Sequence, residues 1–422
     1  MAGIYIHIPF CKKACNYCNF HFSTSLASKD QLIEAIKEEL RMQAKYLQEH
    51  TVETIYFGGG TPSLLSPEEL LSIFASVERY YTIDKLKEFT LEANPDDLDT
   101  AYLTALRKTP INRLSIGVQS FKEADLLFMN RAHTVQQVDY ALKCAQDKGF
   151  SDISIDLIYG TPQLSIDEWE QHLNTMLSYE IPHFSSYALT VEPKTSLAHQ
   201  IKTNQLPALN PDDAAQQFLF LMDWAKENNF DHYEISNFGK PAYFSKHNTS
   251  YWLGEKYLGV GPSAHSFNGV ERCWNISNNT KYSKSIFENK LPVTCETLSI
   301  NNRFNEYIMT GLRTIWGVSL AKMESEFGTE FLQVLTENVK PFIKKGLLEI
   351  KEDSAFNKIL TTTKKGKFWR RPGYIGFRSA NAHHRVDLKE GTKPMTIFIP
   401  GPFGLRKGPR SEYGIDFKTK KN

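Results

Sequence analysis

The sequence predicts an α/β fold organised as a partial (β/α)6 barrel. Between Gly3 and about Thr190, a short apolar run, a polar or glycine turn and an amphipathic segment follow one another six times. This alternation is typical of βα units that form a parallel sheet. The six predicted strands are GIYIHIP, TIYFGG, FTLEAN, RLSIGVQS, ISIDLIYG and HFSSYALT. Each run ends in polar or glycine-rich residues, which predicts a functional site at the carboxyl ends of the strands.

Helices are predicted between these strands. Residues 31–47 and 67–80 carry apolar side chains at three- and four-residue spacing, the pattern of a helix with one buried face. Ser66 followed by Pro67 marks the start of the second helix, because serine caps helix amino termini and proline is tolerated in the first turn.

Composition places the chain among soluble globular proteins. It has 422 residues, a formal net charge of +1, 41% hydrophobic and 23% charged residues. It shows neither a basic segment followed by an apolar signal core nor an apolar run long enough to span a membrane, so we expect a cytoplasmic protein. We find no basic aromatic groove before the carboxyl-terminal tail, and we predict no nucleic-acid partner.

Four regions are predicted along the chain: the barrel at 1–192, an extension at 193–298, a small winged-helix-like domain at 299–367 and a tail at 368–422. From residue 367 onward there are 13 Lys and Arg against 4 Asp and Glu, with many Gly and Pro. This composition predicts a basic tail without a packed core. A second hypothesis is that the reading frame departs there from the one under which the domain evolved.

Three cysteines follow the first predicted strand, in the run HIPFCKKACNYCNF. Cys11, Cys15 and Cys18 supply three thiolates, whereas a [4Fe–4S] cluster normally takes four, so this set leaves one iron open to another ligand. Three unrelated thiols or a zinc site are the alternatives. Cys144 is predicted to lie in a helix core, while Cys273 and Cys295 have no context that marks them as metal ligands.

The spacing CxxxCxxC followed by YFGGGTPS resembles the radical S-adenosylmethionine (radical SAM) superfamily. In that family S-adenosylmethionine chelates the open iron, and the reduced cluster delivers one electron that cleaves the sulfonium. Further motifs, including LEANPDD, RLSIGVQSF, NRAHT, IDLIYGTPQ and HNTSYW, resemble the oxygen-independent coproporphyrinogen III oxidase family and its HemW-type heme chaperone branch over residues 3 to 367. The resemblance implies a TIM-like radical SAM barrel.

The resemblance also implies site residues. Contacts to S-adenosylmethionine at the cluster are implied for Tyr5, Tyr17, Gly59, Gly60, Thr61 and Glu92, and contacts to a second S-adenosylmethionine of the oxidase branch for Gln119, Arg131 and Asp156. Carboxylates accept hydrogen bonds from hydroxyl or ammonium groups, and a guanidinium clamps a carboxylate, so these residue types suit that ligand.

Two features separate the branches. The oxidase branch has a fourth cysteine where this chain has Phe20, and it carries an additional amino-terminal segment before a strand that here starts at Gly3. The chaperone branch carries HNxxY, present here as His247 to Tyr251, and both residues are predicted to bind heme, with His265 as a second histidine candidate. The leading hypothesis is a heme chaperone. Its predicted partners are heme, an unidentified heme-acceptor protein and an electron donor, and membrane-associated acceptors are included. The alternative is coproporphyrinogen III oxidation.

We predict that replacing Cys11, Cys15 or Cys18 with Ala abolishes iron loading, because each thiolate holds a separate corner of the cluster. Cys144→Ala is the matched control and keeps full loading. Iron and sulfide are counted after anaerobic reconstitution; equal loading of Cys15→Ala and Cys144→Ala contradicts the prediction.

Overall fold

The computed structural model describes residues 2–47, 51–353 and 356–369, and it begins with the six predicted strands. Each starts a βα unit, so the predicted α/β fold with a partial barrel is confirmed. The strands are β1 (Ala2–Ile8), β2 (Val52–Gly59), β3 (Glu88–Ala93), β4 (Arg113–Gln119), β5 (Asp152–Tyr159) and β6 (His183–Ala188).

The helices of these units cover the sheet with their apolar faces. They are α1 (Lys29–Met42), α2 (Pro67–Tyr80), α3 (Thr100–Leu106), α4 (Glu123–Phe128), α5 (Val135–Asp147) and α6 (Ile166–Ser178). The predicted start of α2 is confirmed: the Ser66 side chain accepts the Glu69 N–H, and the Glu69 carboxylate accepts the Ser66 N–H. The predicted end of α1 at Leu47 was five residues too late, because buried Leu47 continues the apolar spacing after the helix has ended at Met42.

The region after the sixth strand adds further helices and short strands. They are α7 (Ser196–Lys202), α8 (Pro211–Glu227), β7 (Asp231–Glu234), β8 (Asn237–Gly239), α9 (Lys246–Leu253), β9 (Lys256–Val260), β10 (His265–Phe267), β11 (Glu271–Asn275), α10 (Asn279–Phe287) and β12 (Val293–Thr297). No helix in the described part of the chain is long and apolar enough to cross a membrane.

The large sheet has the strand order β12-β11-β10-β9-β1-β2-β3-β4-β5-β6-β8-β7. Strands β1 to β6 are neighbours in chain order and pair in parallel. Strand β9 pairs in parallel with the other edge of β1, with Tyr5 opposite Gly259 on that side and opposite Tyr56 on the β2 side. The sequence analysis did not anticipate this seventh parallel strand.

Two cysteines meet on the antiparallel end of the sheet. Cys273 on β11 lies opposite Cys295 on β12, and the two form a disulfide. The sequence analysis gave them no role, because residues 22 positions apart reveal their pairing only once the strand register is known. Cys144 is buried in α5, as predicted.

The described residues form two compact units. The first consists of residues up to 210 with 220–232 and 237–298, and the second of 211–219, 233–236 and the described residues from 299 onward. Two short segments of the predicted 193–298 extension therefore cluster with the second unit. From position 370 on, the predicted tail lies outside the described residues.

The second unit has helices and a small sheet. Its elements from residue 300 on are α11 (Ile300–Gly311), β13 (Val318–Ser319), α12 (Leu320–Phe327), α13 (Thr329–Lys344), β14 (Leu348–Glu352), β15 (Lys358–Thr362) and α14 (Lys364–Trp369). The sheet order is β13-β15-β14, and Phe304, Val318 and Leu335 are fully buried in the core beside it. Arg313 and Glu234 form a buried ion pair within this unit.

Glu39 is a buried carboxylate that joins α1 to the β9–β11 side of the sheet. It accepts hydrogen bonds from the Gly261 N–H at 2.8 Å, from Asn275 Nδ2 at 2.7 Å and from the Tyr282 hydroxyl at 2.6 Å. Gln43 Nε2 adds a fourth at 2.9 Å. Four donors on one buried side chain make it a structural anchor, because a buried donor without an acceptor is costly.

We therefore expect Glu39→Ala to lower the free energy of unfolding by about 3 kcal/mol or more, because it leaves several buried donors unpaired. Glu34→Ala on the same helix is the control. The Glu34 side chain is exposed and only pairs with Lys37, so its loss costs less than about 1 kcal/mol. Urea unfolding measures both; equal losses contradict the assigned role.

Candidate functional site

The cysteine-bearing loop between β1 and α1 is held closed at its base. The Cys11 N–H donates to the Ser23 carbonyl at 3.0 Å, and the Ser23 N–H donates to the Pro9 carbonyl at 2.7 Å. Cys11, Cys15 and Cys18 are half-buried free thiols between these ends. The strand end and this closure fix all three thiols at the predicted edge of the barrel.

The middle of the loop is anchored to the segment after α4. The Asn16 N–H donates to the Met129 carbonyl at 3.1 Å, and its amide Nδ2 donates to the Phe128 carbonyl at 2.7 Å. Asn130 Nδ2 donates in return to the Ala14 carbonyl at 2.8 Å. The fourth βα unit therefore positions a loop that follows the first strand.

The three thiols are of the ligand type that binds iron–sulfur clusters. Within the described residues, no group of three or more His, Cys, Asp or Glu side chains converges as the ligands of one metal ion would. In a [4Fe–4S] cluster each thiolate binds a different iron. Burial raises the pKa of Cys18 to about 11, so metal binding there is coupled to release of a proton.

Arg131 lies buried against the cysteine loop. Its Nη1 donates to Cys15 Sγ at 3.3 Å and reaches the Tyr17 hydroxyl at 3.5 Å. Its Nη2 donates to Asn94 Oδ1 at 2.7 Å and to the Gly117 carbonyl at 3.0 Å. The Arg131 Nε is buried without a hydrogen-bond partner among the described residues. The guanidinium therefore supports the loop, and one of its donors has no partner among the described residues.

The glycine turn after β2 is closely packed. Gly59 has φ +113°, and a Cβ built on it would lie 2.5 Å from the His7 ring. A Cβ on Gly60 would lie 2.6 Å from the Phe10 carbonyl oxygen. Only glycine fits at these two positions, and the bare backbone can approach a ligand. Thr61 is buried next to them, and its Oγ1 accepts a hydrogen bond from Asn94 Nδ2 at 3.2 Å.

Glu92 at the end of β3 is held by two donors. The Tyr56 hydroxyl donates to its Oε1 at 2.8 Å, and the Gly59 N–H donates to its Oε2 at 3.0 Å. Burial, together with the charge of Asp156, raises the pKa of Glu92 to about 7, while the hydrogen bonds from Tyr56 and Gly59 oppose that rise. The carboxylate faces the same end of the barrel as the glycine turn, which suits it to bind hydroxyl or ammonium groups.

Tyr5 and His7 line the adjacent wall on β1. The Tyr5 hydroxyl bonds to His7 Nδ1 at 3.1 Å, and His7 Nε2 donates to the His21 carbonyl at 3.1 Å. Burial lowers the pKa of His7 to about 4, so the ring is neutral. The sequence analysis missed His7, although a polar residue within the apolar run IYIHIP is a signal of an inward-facing functional position.

Gln119 and Asp156 lie on the other side of the barrel mouth, on β4 and β5. Gln119 has φ +68° at an irregularity of β4, and its Nε2 lies 2.9 Å from a Cβ built on Gly117. Burial raises the pKa of Asp156 to about 6, while Ser185 and the positive charge of Arg131 oppose that rise. These contacts bring Gln119, Asp156 and Arg131 to one side of the barrel.

His247 and Tyr251 lie elsewhere, towards the amino ends of the strands. His247 is fully buried, and its Nδ1 bonds to Thr54 Oγ1 at 2.9 Å while its Nε2 bonds to the Tyr251 hydroxyl at 2.7 Å. Burial lowers the pKa of His247 to about 3, so the ring is neutral and its single lone pair is used in these bonds. In this arrangement neither ring nitrogen is open to heme iron. The other candidate, His265, is half-buried and stacks against Trp274.

Two family models match the chain: the radical SAM superfamily over residues 5–176 and the HemN carboxyl-terminal domain over residues 298–368. Similar sequences include the heme chaperone HemW of Bacillus subtilis (strain 168), 32% identical over 359 residues that cover 84% of this chain and 95% of that protein. HemW of Lactococcus lactis subsp. lactis (strain IL1403) is 33% identical over 344 residues, 82% of this chain and 90% of that protein.

Two further comparisons extend this result. The mitochondrial radical S-adenosyl methionine domain-containing protein 1 of Mus musculus is 35% identical over 265 residues, covering 63% of this chain and 60% of that protein. Among solved structures, coproporphyrinogen III oxidase (HemN) from Escherichia coli matches with a TM-score of 0.75 at 22% identity and covers 87% of each chain. The structural match extends the fold assignment over both compact units.

We predict that Arg131→Gln makes the reduction potential of the reconstituted cluster more negative by about 60 mV or more. A shift of that size changes the equilibrium constant of a one-electron reduction about tenfold. The positive charge and the N–H···S bond to Cys15 stabilise the electron-rich reduced state. Arg79→Gln, on the exposed face of α2, is the control. Redox titration by electron paramagnetic resonance (EPR) measures both; equal potentials for the two variants contradict the prediction.

Proposed function

Since the chain belongs to the HemW-type family of radical SAM proteins, we propose that it is a heme chaperone. It binds heme, holds a [4Fe–4S] cluster with exchangeable S-adenosylmethionine, and transfers heme to an acceptor protein. The observation that carries this proposal is the similarity to heme chaperones over 95% and 90% of their lengths. The two relatives are named heme chaperones, and the proposal extends that activity to this chain.

The residues at the carboxyl ends of the strands support the cofactor part of the proposal. Cys11, Cys15 and Cys18 would hold the cluster, and the closed loop presents all three as free thiols. Gly59 and Glu92 would hold S-adenosylmethionine, because the turn presents backbone without a side chain and two hydrogen bonds already orient the carboxylate. With the cluster and S-adenosylmethionine bound, the reduced cluster would supply one electron to the sulfonium of S-adenosylmethionine.

Further residues would complete this binding site. Four more residues would line the same end of the barrel, and each contacts a neighbour there. The pairs are Tyr5 with His7, Tyr17 with Arg131, Gly60 with the Phe10 backbone and Thr61 with Asn94. In this proposal they exclude water from the ligand and fix its orientation. The heme ligand is a separate question, since ligation by His247 requires loss of its bonds to Thr54 or Tyr251.

The second candidate function is oxygen-independent oxidation of coproporphyrinogen III. Arg131, with its unpartnered Nε, lies beside Gln119 and Asp156, where the oxidase branch binds a second S-adenosylmethionine. Against it, Phe20 occupies the position of that branch's fourth cysteine and is 56% exposed. The chaperone function is therefore preferred.

The proposal includes partners and a location. A heme-acceptor protein and an electron donor are required, and the proposal includes membrane-associated acceptors. The proposed location is the cytoplasm, where thiols that bind clusters stay reduced; in that compartment the Cys273–Cys295 pair would be reduced as well.

One anaerobically reconstituted preparation tests the two functions. We expect a heme titration to give a saturable absorption change at about one heme per chain, and coproporphyrinogen III with a reductant and S-adenosylmethionine to remain unconverted. Cys18→Ala is the matched control for any turnover, since it lacks one cluster ligand. Protoporphyrinogen formed by the unaltered chain but not by the control would establish the oxidase instead, and an unchanged heme spectrum would exclude the chaperone function.

A further inference from the structure

Helix α9, which carries the HNxxY residues, is fixed to the amino end of the barrel by one buried carboxylate. Glu88, the first residue of β3, accepts the backbone N–H of Lys246 at 2.7 Å and of His247 at 2.9 Å, and it accepts the Ser245 hydroxyl at 3.3 Å. The Glu88 side chain is 1% exposed. An acidic group at a helix amino terminus satisfies the free N–H groups there, so α9 has a defined position against the strands.

From this position the His247 ring enters the barrel interior. A Cβ built on Gly3 would lie 3.1 Å from His247 Cε1 and 2.8 Å from Thr54 Oγ1, so the ring occupies the room that a glycine in β1 leaves open. Thr54 and Tyr251 hold its two nitrogens. The imidazole is thus fixed in place and in orientation.

Three rings then stack from His247 towards the other end of the barrel. The His247 and Tyr56 ring centroids are 5.0 Å apart with an angle of 25° between the planes. Tyr5 stacks on Tyr56 at 6.0 Å and 26°, and on His247 at 6.5 Å and 29°. Packed aromatic rings restrict one another's rotation, so the position of His247 limits the position of the Tyr56 ring.

The Tyr56 ring ends at the cofactor side of the barrel. Its hydroxyl donates to Glu92 Oε1 at 2.8 Å, while the backbone of Gly59 holds the other carboxylate oxygen. A single residue therefore connects the HNxxY histidine to the carboxylate implicated in cofactor binding. Through this link His247 can influence the Glu92 carboxylate without itself contacting a ligand.

We propose that His247 is a positioning residue that acts through Tyr56 to orient Glu92 for S-adenosylmethionine, and that it is not the ligand of heme iron. The inference rests on the part of the proposed function that has S-adenosylmethionine bound at Glu92. It gives the HNxxY residues a role in the cofactor site, although they lie at the opposite end of the barrel. Tyr251 contributes by holding His247 Nε2.

The test compares two single variants with their double variant. We expect His247→Ala and Tyr56→Phe each to raise the dissociation constant for S-adenosylmethionine by about tenfold, measured by equilibrium dialysis on reconstituted protein. The S-adenosylmethionine affinity of the double variant should be close to that of the single variant that binds it more weakly, because both substitutions break the same linked contact. The EPR change that S-adenosylmethionine causes in the reduced cluster should be diminished in all three.

His183→Ala is the matched control. His183 is also a buried barrel histidine whose ring bonds to the hydroxyl of a neighbouring strand, Ser154 Oγ at 2.6 Å. We expect its S-adenosylmethionine affinity to stay within twofold of the unaltered chain. If His247→Ala fails to fold, His247→Gln keeps hydrogen-bonding groups and removes the ring, and Tyr56→Phe tests the link to Glu92 alone.

A heme titration on the same variants completes the test. We expect the heme spectrum of His247→Ala to equal that of the unaltered chain. Unchanged S-adenosylmethionine affinity in folded His247→Ala, independent effects in the double variant, or loss of the heme spectrum with His247 would each overturn the inference. Failure of the proposed function is distinguishable, because it appears in the unaltered chain as absence of heme binding or of S-adenosylmethionine binding. Failure of the inference appears only as a difference between the variants and the unaltered chain that departs from the expected one.

Discussion

The structure depends on one half-buried carboxylate at the end of the third strand. The two oxygens of Glu92 accept hydrogen bonds from the Tyr56 hydroxyl and the Gly59 N–H, which offset the loss of solvent around its charge. The first bond fixes the ring that packs inside the barrel, and the second fixes the glycine turn after the second strand. A ligand-binding surface and the interior packing are therefore set by the same two contacts.

A second constraint concerns the cysteine loop, which has no regular secondary structure of its own. Its conformation depends on hydrogen bonds from Asn16 and Asn130 and on the guanidinium of Arg131 at Cys15. Each of these contacts joins the loop to residues more than a hundred positions later, which arrive with the fourth βα unit. The thiol positions are thus a property of the assembled sheet and do not follow from the local sequence alone.

The sequence predicted the six strands and the α2 helix because apolar runs and capping residues are local signals. It predicted the cysteine loop and the glycine turn for the same reason, since each directly follows a strand. It could not place His247, because nothing local says which end of a barrel a later helix covers. Nor could it pair Arg131 with Cys15 or Cys273 with Cys295, since such contacts depend on the register of distant segments.

The parallel pairing of β9 with β1 has a consequence for how the chain is made. Strand β1 is synthesised first, but its second edge receives a partner only when residues 256–260 have left the ribosome. At about 5–20 residues per second, this delay is on the order of ten to fifty seconds. During that time an unpaired, apolar strand edge next to the three cysteines is open to pairing with other chains. Biosynthesis therefore gives this protein a period in which one edge of its first strand is exposed before its own sheet is complete.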